Sequence, residues 1–226
     1  MTRTAPVPGL RDALTASDAS TRLRAALAAG STPAPAQVDV LVERCAVEPD
    51  FSVRDMLTWA LTRHDTSAVV ERVLPELASD VAQARAQALH TLSKIGRPDT
   101  WTAITPALLR DDDAEVARAA WRTAAGLVPA GEEAALAGAL VTQLGRGDRD
   151  VQLSLSRALV ALGDDATAAV EDATTHPDPG VRAHALATAH LVDDPGAGFD
   201  GAIADARRVV ALRDAPVVRD WTDADR

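Results

Sequence analysis

Tyrosine is absent from this chain, phenylalanine occurs twice, and aromatic residues make up 3% of it. Strands draw on aromatic and β-branched clusters in alternation; these are missing, which excludes an all-β fold. Cysteine occurs once, at Cys45, so no intrachain disulfide can form. Its apolar neighbours Val40, Leu41, Val42 and Ala46 make it core filler rather than a reactive thiol. Lysine also occurs once, at Lys94, among 23 basic residues; this arginine bias reads as compositional rather than as selection for bidentate contacts. An excess of positive charge is lacking too, since 33 acids leave a formal net charge of -10. Duplex nucleic acid is therefore disfavoured as a partner.

No stretch approaches the ~20 apolar residues of a membrane span. The opening MTRTAPVPGLRDALT has no uninterrupted apolar run and reads as no signal peptide, so a cytoplasmic location is the default expectation. Neither a G-x-S-x-G elbow nor a glycine-rich phosphate loop occurs. At 47% hydrophobic and 25% charged residues the composition is that of a folded chain, and a core of Ala, Leu and Val suits close helix-on-helix packing.

What is present is repetition. A short polar residue stands three positions before an apolar anchor at Ser20-x-x-Leu23, Asp50-x-x-Val53, Asp113-x-x-Val116, Asp148-x-x-Val151 and Asp178-x-x-Val181, with a degenerate copy at Ala84 behind Ser79 and Asp80. The steps between anchors are 30, 31, 32, 35 and 30 residues. Self-similarity at that period predicts stacked helical pairs. The polar residue is placed to cap the helix that begins beside it. Counted from each anchor, positions four, five and eight tend to be apolar (Ala88, Leu89 and Leu92; Ala120, Trp121 and Ala124; Ala185, Leu186 and Ala189) and form one packing stripe. Gly30, Gly96, Gly126 and Gly163 read as helix-ending glycines. The partner helices are expected near 35–46, 67–78, 100–110, 132–144, 165–174 and 200–211. Two of them carry a proline at the same phase, Pro75 and Pro106, which predicts a shared kink.

The segments VLPELASD (73–80), ITPALLRDDDAEVARAAW (104–121), DRDVQLSLSRALVALG (148–163) and DPGVRAHALATA (178–189) resemble HEAT repeats of the phycobilisome-lyase-like subgroup. They are similar to that family's proline-kinked first helix, its D-P-x-V-R start to the second helix, and its A-L ending. The resemblance implies an all-α, right-handed solenoid of about six helical pairs over 18–212, between a flexible arm at 1–17 and a tail at 213–226 that carries Trp221. The Arg that follows the anchor stands at Arg24, Arg54, Arg85 and Arg182 and is replaced by Ala117 and Gln152; by the resemblance it is structural, linking neighbouring repeats through an Asp. The family hosts scaffolds, lyases, hydroxylases and DNA-repair enzymes, so it implies architecture more than activity.

The resemblance also implies that the anchored helices line a concave face. The wheel then sends positions two, three, six, nine and ten into the hollow. There stand Trp59, Arg63, His90, Lys94, Arg118, Arg122 and Arg157, with Asp55 as the main acid. A one-signed concavity attracts the opposite sign, arginine grips carboxylate or phosphate, and Trp59 offers a stacking surface. The same residues also fit a solvated helix face that binds nothing, and a one-residue phase error would bury Trp59. Trp121 and Trp101 read as packing residues, and Ser154 and Ser156 as plain helix serines without a base. His184 and His190 face the same hollow as surface histidines.

No metal or cofactor is expected. A zinc site needs three or four convergent ligands, and the di-iron HEAT-like hydroxylases use His-Glu pairs that this chain lacks. The expected function is a non-catalytic binding or scaffold module that takes an acidic peptide, protein segment or other anionic ligand. Two alternatives stand beside it. One is a HEAT-like alkylpurine DNA glycosylase or other nucleic-acid-binding repair enzyme, using Asp55 and Trp59 one turn apart. The other is a lyase-type chaperone of a cofactor protein. The sequence leaves the oligomeric state open.

Overall fold

Asp50, Asp113, Asp148 and Asp178 cap helices as their spacing predicts: each carboxylate accepts the backbone N–H of the residue three positions on, at 3.0–3.1 Å. These details come from a computed structural model, which describes residues 7–194, 196 and 198–215; Trp221 lies outside them. All regular structure among the described residues is helical. The chain divides into two compact units between Ala139 and Leu140.

The first unit holds α1 (Val7–Leu14), α2 (Ala19–Ser31), α3 (Val38–Cys45), α4 (Phe51–Thr62), α5 (Thr66–Val73), α6 (Ala82–Ile95), α7 (Pro106–Leu109) and α8 (Ala114–Leu127). Short 3-10 turns run over Pro35–Gln37, Leu74–Ala78 and Pro98–Ala103. The anchored helices pack in order, α2 on α4, α4 on α6 and α6 on α8, while α3, α5 and α7 pack beside them. The division point falls within α9 (Glu133–Val141). In the second unit α12 (Pro179–Asp193) packs on α10 (Arg149–Ala161), α11 (Asp164–Ala173) and α13 (Phe199–Arg213).

The apolar stripe is the core. Ala84, Ala88, Leu89, Leu92, Val116, Ala120, Trp121 and Ala124 are all buried, and the Trp121 indole N–H donates to the Leu109 carbonyl at 2.8 Å. Cys45 is buried, and burial pushes its thiol up to about 12, which keeps it protonated and unreactive.

Five expectations change. The first helix is capped by Asp18, not Ser20: the Asp18 carboxylate accepts from the Thr21 N–H at 2.8 Å. The recurring arginine of that repeat is therefore Arg22, not Arg24. It donates back to the Ala16 and Ser17 carbonyls, as Arg54 does to Glu48 and Pro49 and Arg182 to His176 and Pro177. Arg85 makes one such bond, to Ser79. Arg22 and Arg85 each also grip a carboxylate 26 residues on with two bonds, Glu48 and Asp111.

Helix α1 begins at Val7, inside the segment expected to be a flexible arm, and Leu14 is buried against its neighbours. Pro75 and Pro106 mark breaks rather than kinks. Without an N–H neither can continue a helical ladder, so α5 gives way to the Leu74–Ala78 turn and α7 restarts at Pro106 behind its cap Thr105.

Gly96 and Gly163 follow helix ends with φ of 71° and 61°, whereas Gly30 and Gly126 lie inside α2 and α8. Gly30 is there for space. A Cβ at this position would lie 2.3 Å from Trp59 Cζ3 and 2.9 Å from the Ala60 Cα. An alanine in a helix ordinarily stabilises by up to ~1 kcal/mol over glycine; here overpacking reverses the sign, and Gly30→Ala is expected to cost about 1–3 kcal/mol. A thermal melt of the variant checks this, and an unchanged or raised midpoint would contradict the close seating of α2 on α4.

Candidate functional site

The anchored helices of the first unit align their sixth positions. Trp59 on α4, His90 on α6 and Arg122 on α8 each stand six residues after their anchors Val53, Ala84 and Val116. Because α6 packs directly on α8, the Arg122 guanidinium comes within 3.3 Å of His90 Nδ1. Arginine can only donate, so Nδ1 supplies the lone pair and the proton sits on Nε2, which lies 4.0 Å from Asp55 Oδ1 on α4. Burial lowers the His90 pKa, and Arg122 and Lys94 lower it further against the opposing pull of Asp55. His90 is neutral at pH 7. Arg122 is also held below its ordinary value, by partial burial first and then by Arg118. Arg118 itself bonds Glu115 one turn before it, at 2.7 Å.

Asp55, His90, Lys94, Arg118 and Arg122 thus form one cluster on α4, α6 and α8. Trp59 and Arg63 follow Asp55 along α4 by one and two turns. Trp59 retains 38% exposure, with one edge of its ring seated on Gly30 of α2; it is neither core nor a free platform. Arg63 is the exposed C-cap residue just after the helix. Among the described residues no ion pair engages Arg63, Lys94 or Arg122. The His90 lone pair faces the Arg122 guanidinium and is therefore not free to act as a base in this arrangement.

Arg157 belongs to the second unit. It lines a cleft of about 350 Å³ with Arg149, Asp200 and the apolar Leu153, Val160, Leu191 and Phe199.

The second unit also overturns two histidine and serine readings. His184 is 0% exposed instead of facing a hollow; His190 is exposed. His184 Nδ1 accepts the Gly145 N–H at 3.0 Å. Its proton is therefore on Nε2, which lies 3.0 Å from both the Gln152 carbonyl and Ser156 Oγ. Thr188 donates to the His184 carbonyl, so Ser156, itself buried, gives its proton to Thr188 Oγ1 at 2.8 Å. This Ser–His pair is no nucleophile and base, because the imidazole turns a donor toward the serine and spends its lone pair on a backbone amide. Ser156 occupies position five after Val151, the stripe position of Leu89 and Trp121, and that signal marks it as buried.

Burial drives the His184 pKa down to about 4, and the nearby Arg207 adds to this against the Gln152 carbonyl. The unfolded chain, at an ordinary ~6.5, then binds the proton that the folded chain refuses. The contribution is present in full above pH ~6.5 and is lost as the pH falls toward 4, worth about 3 kcal/mol across that window. Urea unfolding at pH 7 and pH 4.5 measures it, with His184→Gln as reference. A pH dependence identical in the variant would remove His184 as its source.

Among the described residues no group of three or more His, Cys, Asp and Glu is placed to hold a metal ion, and no helix is long and apolar enough to cross a membrane. No protein-family model matches the chain, and no curated protein matches it either. Among solved structures it is similar to an engineered protein from the Northeast Structural Genomics Consortium, at 23% identity over 85% of this chain and 98% of that one, with a TM-score of 0.45.

Proposed function

We propose that this chain is a non-catalytic binding module of HEAT-like repeats, and that the α4–α6–α8 face of its first unit takes a carboxylate-rich peptide. The observation that carries the reading is the gathering of Lys94 and Arg122 around a neutral His90, with Arg118 beside Arg122, on a protein of net charge -10. Concentrating cations on one face of an acidic chain costs self-repulsion, which an anionic partner relieves. Trp59, exposed at the edge of the face, supplies apolar contact, and Arg63 extends the charge. What supports the HEAT-like part is the recurrence of one device, a capping Asp with an arginine hooked back over the preceding turn, at Asp18 and Arg22, Asp50 and Arg54, and Asp178 and Arg182.

The test is titration of a glutamate-rich dodecapeptide into the protein, followed by calorimetry and by Trp59 emission. Binding that weakens with salt and survives Asp55→Asn supports the reading, because Asp55 repels such a ligand. Absence of binding at low salt overturns it. Excision of alkylated bases from DNA, abolished by Asp55→Asn, would instead identify the glycosylase.

A further inference from the structure

The cleft of the second unit has a composition unlike the basic face of the first, and its occupant can be argued from its walls. Its floor is apolar. Phe199 and Leu191 belong to the cluster that locks α13 to α12, with Leu153 and Val160 of α10 packed against it. Phe199 and Leu191 are themselves largely covered, while Leu153 and Val160 keep part of their surface open. Its rim carries Arg149, Asp200 and Arg157. Arg149 holds Asp200 with two bonds, at 2.7 and 2.9 Å, and Asp150 with a third at 2.7 Å. That arginine is consumed by acids on both sides. Arg157 is exposed, and among the described residues no ion pair engages it. Among the described residues the cleft therefore offers one uncompensated guanidinium above a greasy floor, in a volume of about 350 Å³, within the ~300–1,000 Å³ typical of small-molecule sites.

We propose that this cleft binds a small organic monocarboxylate with an unbranched apolar body, its head on Arg157 and its chain on Leu153, Val160 and Phe199. A single free cation matches a single negative charge: a dianionic phosphate would be left half-neutralised beside Asp200. A guanidinium fork fits a carboxylate with two parallel bonds, and the floor removes the chain from water. The proposal is independent of the peptide face, which shares no residue with the cleft.

Decanoate is the probe, titrated into the full chain and followed by calorimetry and by amide NMR shifts. Shifts confined to α10, α12 and the start of α13 are expected. Arg157→Gln is expected to weaken decanoate by about tenfold, the scale of one charge-assisted hydrogen bond, while decanamide binds wild type and variant alike. Acetate, having the head without the chain, is expected not to bind. Leu153→Trp, which fills the cleft and leaves every charge in place, is expected to abolish binding in a protein whose circular dichroism is unchanged. Arg63→Glu leaves decanoate binding intact, which separates this site from the peptide face. Equal affinity of decanoate for wild type and Arg157→Gln, or shifts spread over the first unit, would overturn the proposal.

Discussion

Replacing Glu48 with glutamine is expected to remove about 3 kcal/mol of stability, a large fraction of what a domain of this size holds. Glu48 is 0% exposed, and its carboxylate meets Arg22 Nη2 at 2.8 Å and Arg44 Nη2 at 2.6 Å. The Asp50 N–H adds a bond at 3.0 Å. Burial alone would push its carboxyl up; the bonds from Arg22, Asp50 and Arg44 outweigh it and hold the group below the usual carboxylate range. Glutamine keeps the size and deletes the charge, so two arginines with side-chain exposures of 7% and 15% lose their anion. Breaking a buried pair from one side costs ~3–5 kcal/mol, and the residual exposure of the arginines favours the low end. The consequence for acid is signed: since the folded carboxyl titrates lower than the unfolded one, the contribution is present above the unfolded value and is lost as the pH falls through the folded one. Guanidinium unfolding of Glu48→Gln measures the loss. A loss below about 0.5 kcal/mol, the scale of an exposed pair, would show that water reaches the network freely.

The second large effect is on binding. Reversing both Arg118 and Arg122 to glutamate is expected to weaken the glutamate-rich peptide by at least about 100-fold, since two attractive contacts are lost and two repulsive ones replace them. The variant should fold, because Arg122 is exposed and, among the described residues, the only ion pair of Arg118 is with Glu115 on its own helix. In the wild type the affinity is expected to rise as the pH falls below the ordinary histidine value. A carboxylate beside His90 favours the imidazolium, and the starting pKa is depressed. The reversed variant loses that pH dependence along with the affinity. Unchanged binding in the double variant would leave the basic face as surface decoration.

The capped helices were legible because Asp followed by an apolar residue three positions on has one local meaning, and Asp50, Asp113, Asp148 and Asp178 needed nothing beyond their own first turn. The first repeat misled because Ser17, Asp18 and Ser20 offer several caps within four residues. What selects Asp18 is the grip of Arg22 on Glu48, a partner 26 residues away. Glu48 follows Cys45, Ala46 and Val47 and precedes Pro49 and Asp50, and nothing in that stretch signals its pairing with Arg22. The convergence of His90 and Arg122 followed from counting positions, since α6 and α8 run in register. His184 did not follow, because position three lies at the edge of the packing stripe. Met56, Gln87 and Ser154 stop half-buried there, whereas the approach of α12 to α10 closes completely over the imidazole. Trp59 sat on the same kind of boundary, and its true partner is the missing side chain of Gly30.

Where it is kept, the arginine hook ties a helix entrance back to the carbonyl six residues upstream, at Ala16, Glu48, Ser79 and His176, while Arg22, Arg85 and Arg182 also hold carboxylates of later segments. The longest step in the chain, 35 residues between Val116 and Val151, contains three glycines with positive φ, Gly131, Gly145 and Gly147. Its second helix start carries Gln152 in place of the arginine, with one long bond of 3.4 Å to the Gly147 carbonyl. The longest step thus ends at a helix start whose arginine is replaced by glutamine, while Ala117 stands in the arginine's place one repeat earlier, after a step of 32 residues.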